Sequence, residues 1–170
     1  DSCDAKVMKT WSVHIPKRQL LCLLTLLLIS ALAACKRGVS ATPEQLKEAE
    51  GQPKQVIVQH VLIGFDSSSL NDRAKRGFNE AKVLSKKIYR RAKSGDDFDE
   101  LVRTFSDAEK PGIMTINNYG VSIGYGEIGR KDLVEGFTNA SFGLSVNEIT
   151  MTGFDMKDSP SGFHIIKRLK

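Results

Sequence analysis

The chain has 170 residues, 25 Lys and Arg against 20 Asp and Glu, and three cysteines. With ordinary apolar and charged content, it reads as one domain and not as a collagen-like, low-complexity or wholly disordered chain. Beyond residue 34 the balance is 21 basic against 18 acidic residues. The two signs interleave, so a solvated face is expected and nucleic acid is not. Cys3, Cys22 and Cys35 all precede the part that reads as soluble, which excludes a disulfide framework, a cysteine zinc site or a cysteine nucleophile there.

The first element is an address. From Met8 the sequence carries Lys9, Lys17 and Arg18, then the uncharged run Leu20–Leu32 of 13 residues, then Leu32-Ala33-Ala34-Cys35. A basic start, a short apolar run and small residues before a cut match a signal peptide, and the run is short of the about 20 residues a membrane span needs. Leu-Ala-Ala-Cys resembles the lipobox of bacterial lipoproteins. That resemblance implies a signal peptide ending at residue 34 and a lipid on Cys35 that anchors the chain to the membrane; residues 1–7, ahead of Met8, read as an over-extended start. Lys36 after the cysteine, by analogy with Gram-negative lipoproteins, favours the outer membrane. A plain signal peptide ending in cysteine is the alternative. Residues 35–54 are polar, with Gly, Pro and Ser, and read as a tether, with Thr42 able to start one helical turn.

The folded part is expected over 55–170. Val56–Ile63 is rich in β-branched residues and reads as a strand, with Val56, Val58, His60 and Leu62 on one face. After a loop at Gly64–Ser69, apolar residues from Leu70 to Ala92 recur at three- and four-residue steps, predicting an amphipathic helix over Leu70–Lys93 that ends at Ser94-Gly95. Asp96 or Asp97 caps the next helix, which buries Phe98, Leu101, Val102 and Phe105. Ala108–Gly126 reads as a loop with a short strand near Ser122–Tyr125. Leu133–Phe142 suits a helix, and Glu148–Phe154 and Gly162–Leu169 suit strands. This order predicts an α+β fold, four mostly antiparallel strands with about four helices around them.

Taken together, Gln59-His60-Val61-Leu62-Ile63, SGDDFDELVRTFSD at Ser94–Asp107, Gly126-Glu127-Ile128-Gly129-Arg130, Leu133–Ile149 and Gly162–Lys167 resemble the parvulins, a family of peptidyl-prolyl cis-trans isomerases. The resemblance covers Val56 to the end. It implies that His60 and His164 are the paired histidines of the first and last strands. Ser159 stands where the family has a Thr whose hydroxyl bonds the pair. Leu133 and Phe137 line the proline cup, with Tyr125 or Ile128 completing the wall. On spacing alone, Leu133 and Phe137 read as ordinary core, and a histidine on an apolar strand as a satisfied core residue. No metal or other cofactor is implied.

Three departures stand out: Ala108 follows Ser106-Asp107 where the family has Cys or Asp, the loop Ile113–Ser122 is longer, and Asn147 replaces Gly in a turn. No basic cluster follows the first strand, so no requirement for phosphoserine or phosphothreonine is expected. The implied function is isomerisation of X-Pro bonds in exported proteins, by a monomer tethered in the bacterial envelope. The alternative is a peptide-binding or chaperone lipoprotein that has kept the fold.

Overall fold

A computed structural model describes residues 41–68 and 74–170. The elements are α1 (Pro43–Glu48), β1 (Gln55–Ile63), α2 (Phe78–Lys93), α3 (Phe98–Phe105), β2 (Ile113–Asn117), β3 (Ile128–Gly129), a 3-10 turn (Arg130–Asp132), α4 (Glu135–Gly143), β4 (Ile149–Thr152) and β5 (Phe163–Arg168). The strands form one sheet in the order β3-β2-β1-β5-β4. All neighbours are antiparallel except β2 and β3. The fold is therefore α+β as expected, with five strands in place of four.

The differences from the sequence reading have local causes. β2 lies inside the stretch read as a long loop. Its Ile113, Thr115 and Asn117 alternate with Met114 and Ile116, and it pairs with β1 in the register Val56↔Ile116 and Val58↔Met114. No strand forms at 122–125; the two strands not expected are β2 and β3 (Ile128–Gly129). The long helix begins at Phe78, with Gly77 as its N-cap, and not at Leu70; Leu70 lies outside the described residues. The tether expected up to residue 54 contains α1, which Thr42 and Gln45 close with a reciprocal capping box (Gln45 N donates to Thr42 Oγ1 at 3.2 Å, Thr42 N to Gln45 Oε1 at 2.9 Å). The signal segment 1–34 and Cys35 lie outside the described residues.

Period-two alternation divides β1 between two cores. Val61 and Ile63 face α2 and α3 and join Ala81, Ile88, Phe98, Leu101, Val102 and Ile165. α2 presents small residues to the sheet (Ala81, Ser85 and Ala92 beside Ile88 are its buried set), which lets a helix approach closely. Its acidic first turn (Glu80) and basic last turn (Arg90, Arg91, Lys93) complement the helix dipole. The Asp97 side chain accepts from Glu100 N at 3.0 Å and starts α3 as expected. Val56 and Val58, on the other face, pack with Ile116, Ile166, Phe142, Leu144 and Phe137 under α4. Each such fully buried aliphatic side chain stabilises by about 1.5–3 kcal/mol, so Ile165→Ala or Leu101→Ala would remove a large share of a small domain's stability.

Candidate active site

The histidines come together because β1 and β5 are neighbours. His60 pairs in register with Ile166, and His164 with Leu62. The two histidines are thus diagonal neighbours on one face, and their ring centroids lie 5.6 Å apart. Phe137 of α4 completes a triangle, edge-on to His60 at 5.2 Å and to His164 at 5.1 Å. Aromatic contacts of this kind add about 0.5–1.5 kcal/mol each beyond burial. The cluster is nearly dry: His60 is 7%, His164 6% and Phe137 3% exposed.

Burial sets the charge state. The His60 Nδ1 lies 3.1 Å from the Gly112 carbonyl oxygen. A carbonyl only accepts, so Nδ1 carries the proton in the neutral ring. Burial lowers the His60 pKa, partly offset by this hydrogen bond. Burial, with repulsion from His60 second, pushes the His164 pKa down to about 3. The pair is uncharged at neutral pH. Gly112 sits at φ +70, and a Cβ there would be 2.6 Å from the His60 carbonyl oxygen; only glycine lets the loop come this close to β1.

Leu133 and Phe137 do not share a helix face. Leu133 precedes α4 in extended conformation. It still packs, half-buried, against the cluster that contains Phe137. Phe137 is therefore the floor, and Leu133 is the member of the pair nearer the surface. Ile128, half-buried, pairs with Ile116 at the sheet edge. Tyr125 is fully exposed and does not contribute to an apolar wall. A neighbouring carboxylate explains its position: Glu127 accepts from Gly124 N (2.7 Å), Asn117 Nδ2 (2.5 Å) and Gln55 Nε2 (3.0 Å), holding the loop back against β1 and β2. These hydrogen bonds, Gly124 first, lower the Glu127 pKa.

The expected bond from Ser159 to the histidines is not made. The Ser159 hydroxyl donates to the Gly162 carbonyl at 3.0 Å and closes its own turn, which the backbone bridge between Asp155 and Ser159 also braces. Gly162 must be glycine, since at φ +135 a Cβ would lie 2.3 Å from the Ile63 carbonyl oxygen. Asp107 does not turn toward the site either. It accepts from Gly64 N at 2.8 Å and forms an ion pair with Arg76. Ser106 Oγ accepts from Leu62 N (3.2 Å) and Ala108 N (3.3 Å). Ser106-Asp107 thus pins the chain to the end of β1, and Ala108 adds only a methyl group. Asn147 takes φ 68, the conformation for which glycine is the usual residue.

One residue quoted in the motifs has a role the sequence did not disclose. Arg130 is 2% exposed. It donates to Gln52 (2.6 Å), Asn118 (3.0 Å), Glu48 (2.6 Å) and Asn139 (2.8 Å). Its guanidinium lies against Tyr119 at 4.9 Å and Phe142 at 4.7 Å. It thereby ties α1 to α4, the helix that carries Phe137.

A family model described as the PPIC-type PPIASE domain matches residues 44–170. The chain belongs to this family, the parvulin-type peptidyl-prolyl isomerases. The model starts within α1, ahead of the boundary expected at residue 55. Among solved structures, the chain resembles peptidyl-prolyl isomerase ESS1 from Candida albicans, at 24% identity over 75% of this chain and 72% of that one, with a TM-score of 0.55. It also aligns with PrsA from Bacillus subtilis at 19% identity, over 91% of this chain and 54% of that one, with a TM-score of 0.45. The first likeness is one of fold. No curated protein matches the sequence.

Proposed function

We propose that this isomerase domain turns X-Pro bonds in exported polypeptides, as a monomer held in the bacterial envelope by a lipid on Cys35, in the outer membrane if the cell is Gram-negative. The observation that carries the catalytic part is the neutral, dry triangle of His60, His164 and Phe137 beside Leu133. Rotation about the peptide bond must overcome a barrier of about 18–20 kcal/mol. No covalent bond to substrate is needed, only an environment that favours the twisted amide over the planar one. An apolar floor accepts the proline ring, and uncharged imidazoles, His60 with its proton held on Nδ1 by the Gly112 carbonyl, offer dipoles without demanding a counter-ion. Arg76 is occupied by Asp107 and the Gly64 carbonyl, which supports a site with no requirement for a phosphate before proline. The address Met8–Cys35 supports the envelope assignment.

The test is a protease-free isomerisation assay on short X-Pro peptides, varying X, with segment 36–170 and its Leu133→Ala variant. Acceleration that falls in the variant is expected. No acceleration with any X, in a folded protein, overturns the proposal. It would favour the second reading, a module that holds extended chains without turning them over, to which the deep burial of both histidines and the methyl group at Ala108 lend support. Metabolic labelling with palmitate, lost in Cys35→Ser, tests the anchor.

A further inference from the structure

The register places Thr152 of β4 directly opposite His164, which in turn is opposite Leu62. Thr152, His164 and Leu62 thus form one row across three strands, on the face that α4 covers. In this row three buried polar atoms have no hydrogen-bond partner among the described residues: Thr152 Oγ1, His164 Nδ1 and His164 Nε2. Orphaned buried polar atoms are rare because each carries its full desolvation penalty. Here they belong to two residues whose Cβ atoms, being directly opposed, are about 4.5–5.5 Å apart. A hydroxyl one bond from its Cβ and a ring Nδ1 two bonds from its own are long enough to meet across that gap. A hydroxyl both donates and accepts, so it suits either nitrogen of a neutral imidazole.

We infer that Thr152 is the positioning residue of the histidine pair: its hydroxyl hydrogen-bonds the His164 ring and holds its plane against His60 and Phe137. The Ser159 hydroxyl gives its one proton to the Gly162 carbonyl, so it has none to donate to the His164 ring. Thr152 acts through His164 and needs no contact with substrate. The inference rests on the isomerase reading only for its kinetic consequence; the bond itself is a property of the folded chain.

The experiment compares Thr152→Val, which keeps the shape and removes the hydroxyl, with Thr152→Ser, which keeps the hydroxyl. Both are made in the full chain, and Ser159→Ala is included. The imidazole 15N shifts of His164 are read by NMR alongside kcat/KM on an X-Pro peptide. Thr152→Val is expected to move the His164 shifts and lower kcat/KM about tenfold, the equivalent of one lost hydrogen bond. Thr152→Ser should restore both, and Ser159→Ala should leave the shifts in place. Unchanged His164 shifts in Thr152→Val overturn the inference, as do shifts that move in Ser159→Ala alone. So does a Thr152→Ser variant that is folded and as impaired as Thr152→Val. If the wild-type chain shows no isomerase activity, the function fails while the 15N shifts still decide the role of Thr152.

Discussion

The carbonyl of Gly112 receives two hydrogen bonds from His60, one from its backbone N–H at 3.0 Å and one from its Nδ1 at 3.1 Å. One acceptor therefore fixes both the strand position and the ring orientation of a site residue. The loop before β2 can supply it only because residue 112 has no Cβ. Gly112→Ala would place a methyl 2.6 Å from the His60 carbonyl oxygen in a conformation L-residues rarely adopt. We expect a loss of at least about 1–3 kcal/mol, read by urea unfolding, together with altered 15N shifts of His60. A variant as stable as the parent with an unmoved His60 ring would contradict this.

Phe137 and Leu133 should separate stability from activity. Phe137 is fully buried, so Phe137→Ala is expected to cost about 3–5 kcal/mol of stability as well as activity. Leu133 is half-buried against the same cluster. Leu133→Ala should therefore cost clearly less stability, about 1–2 kcal/mol, while isomerase kcat/KM still falls. Equal stability losses in chemical denaturation would show that both residues are merely core.

Both histidines have depressed pKa values, and the sign follows directly. The unfolded chain takes up protons near pH 6.5, whereas folded His164 resists until about pH 3. Within that window the unfolded state binds more protons, so stability rises with pH and is lost as pH falls. The slope is at most about 1.4 kcal/mol per pH unit for each histidine. Denaturation between pH 7 and pH 4 should show it, with a reduced slope in His164→Asn. Above pH 6.5 stability should be flat with respect to these groups, and a folded protein that gains stability from pH 7 to pH 5 through His164 would refute the assignment.

Arg130 should be irreplaceable by lysine. Its fork serves four acceptors from separate parts of the chain and lies against two aromatic rings, a geometry an ammonium cannot reproduce. Arg130→Lys is expected to cost about 2–4 kcal/mol, and hydrogen exchange should show α1 losing protection before the sheet. Uniform exchange across α1 and β1 in the variant would argue against Arg130 as the tie.

Much of this fold is legible in the chain because it is written in local periodicities. The alternation of Val56, Val58, His60 and Leu62 defines a strand and its site face, the three-and-four spacing from Leu70 to Ala92 defines the long helix although it overstates its start, and Asp96 or Asp97 announces the next, with Asp97 the cap that forms. The family motifs likewise name His60, His164 and Phe137, which the sheet and α4 bring within 5.1–5.6 Å of one another. What remained hidden depends on partners distant in sequence. Ile113–Asn117 lies among loop-forming residues, and only pairing with β1 makes it a strand. Ser159 carries the expected hydroxyl, but the Gly162 carbonyl, within its own turn, captures it. Tyr125 is the right kind of residue for a wall, yet Glu127 holds its loop so that the ring faces solvent. Arg130 stands in the sequence only as the end of the Gly126–Arg130 motif, and its burial appears when Gln52, Asn118, Glu48 and Asn139 close around it. Amphipathic pattern is a property of neighbours along the chain, whereas the destination of a hydroxyl, a ring or a guanidinium is settled by acceptors that only tertiary structure brings within reach.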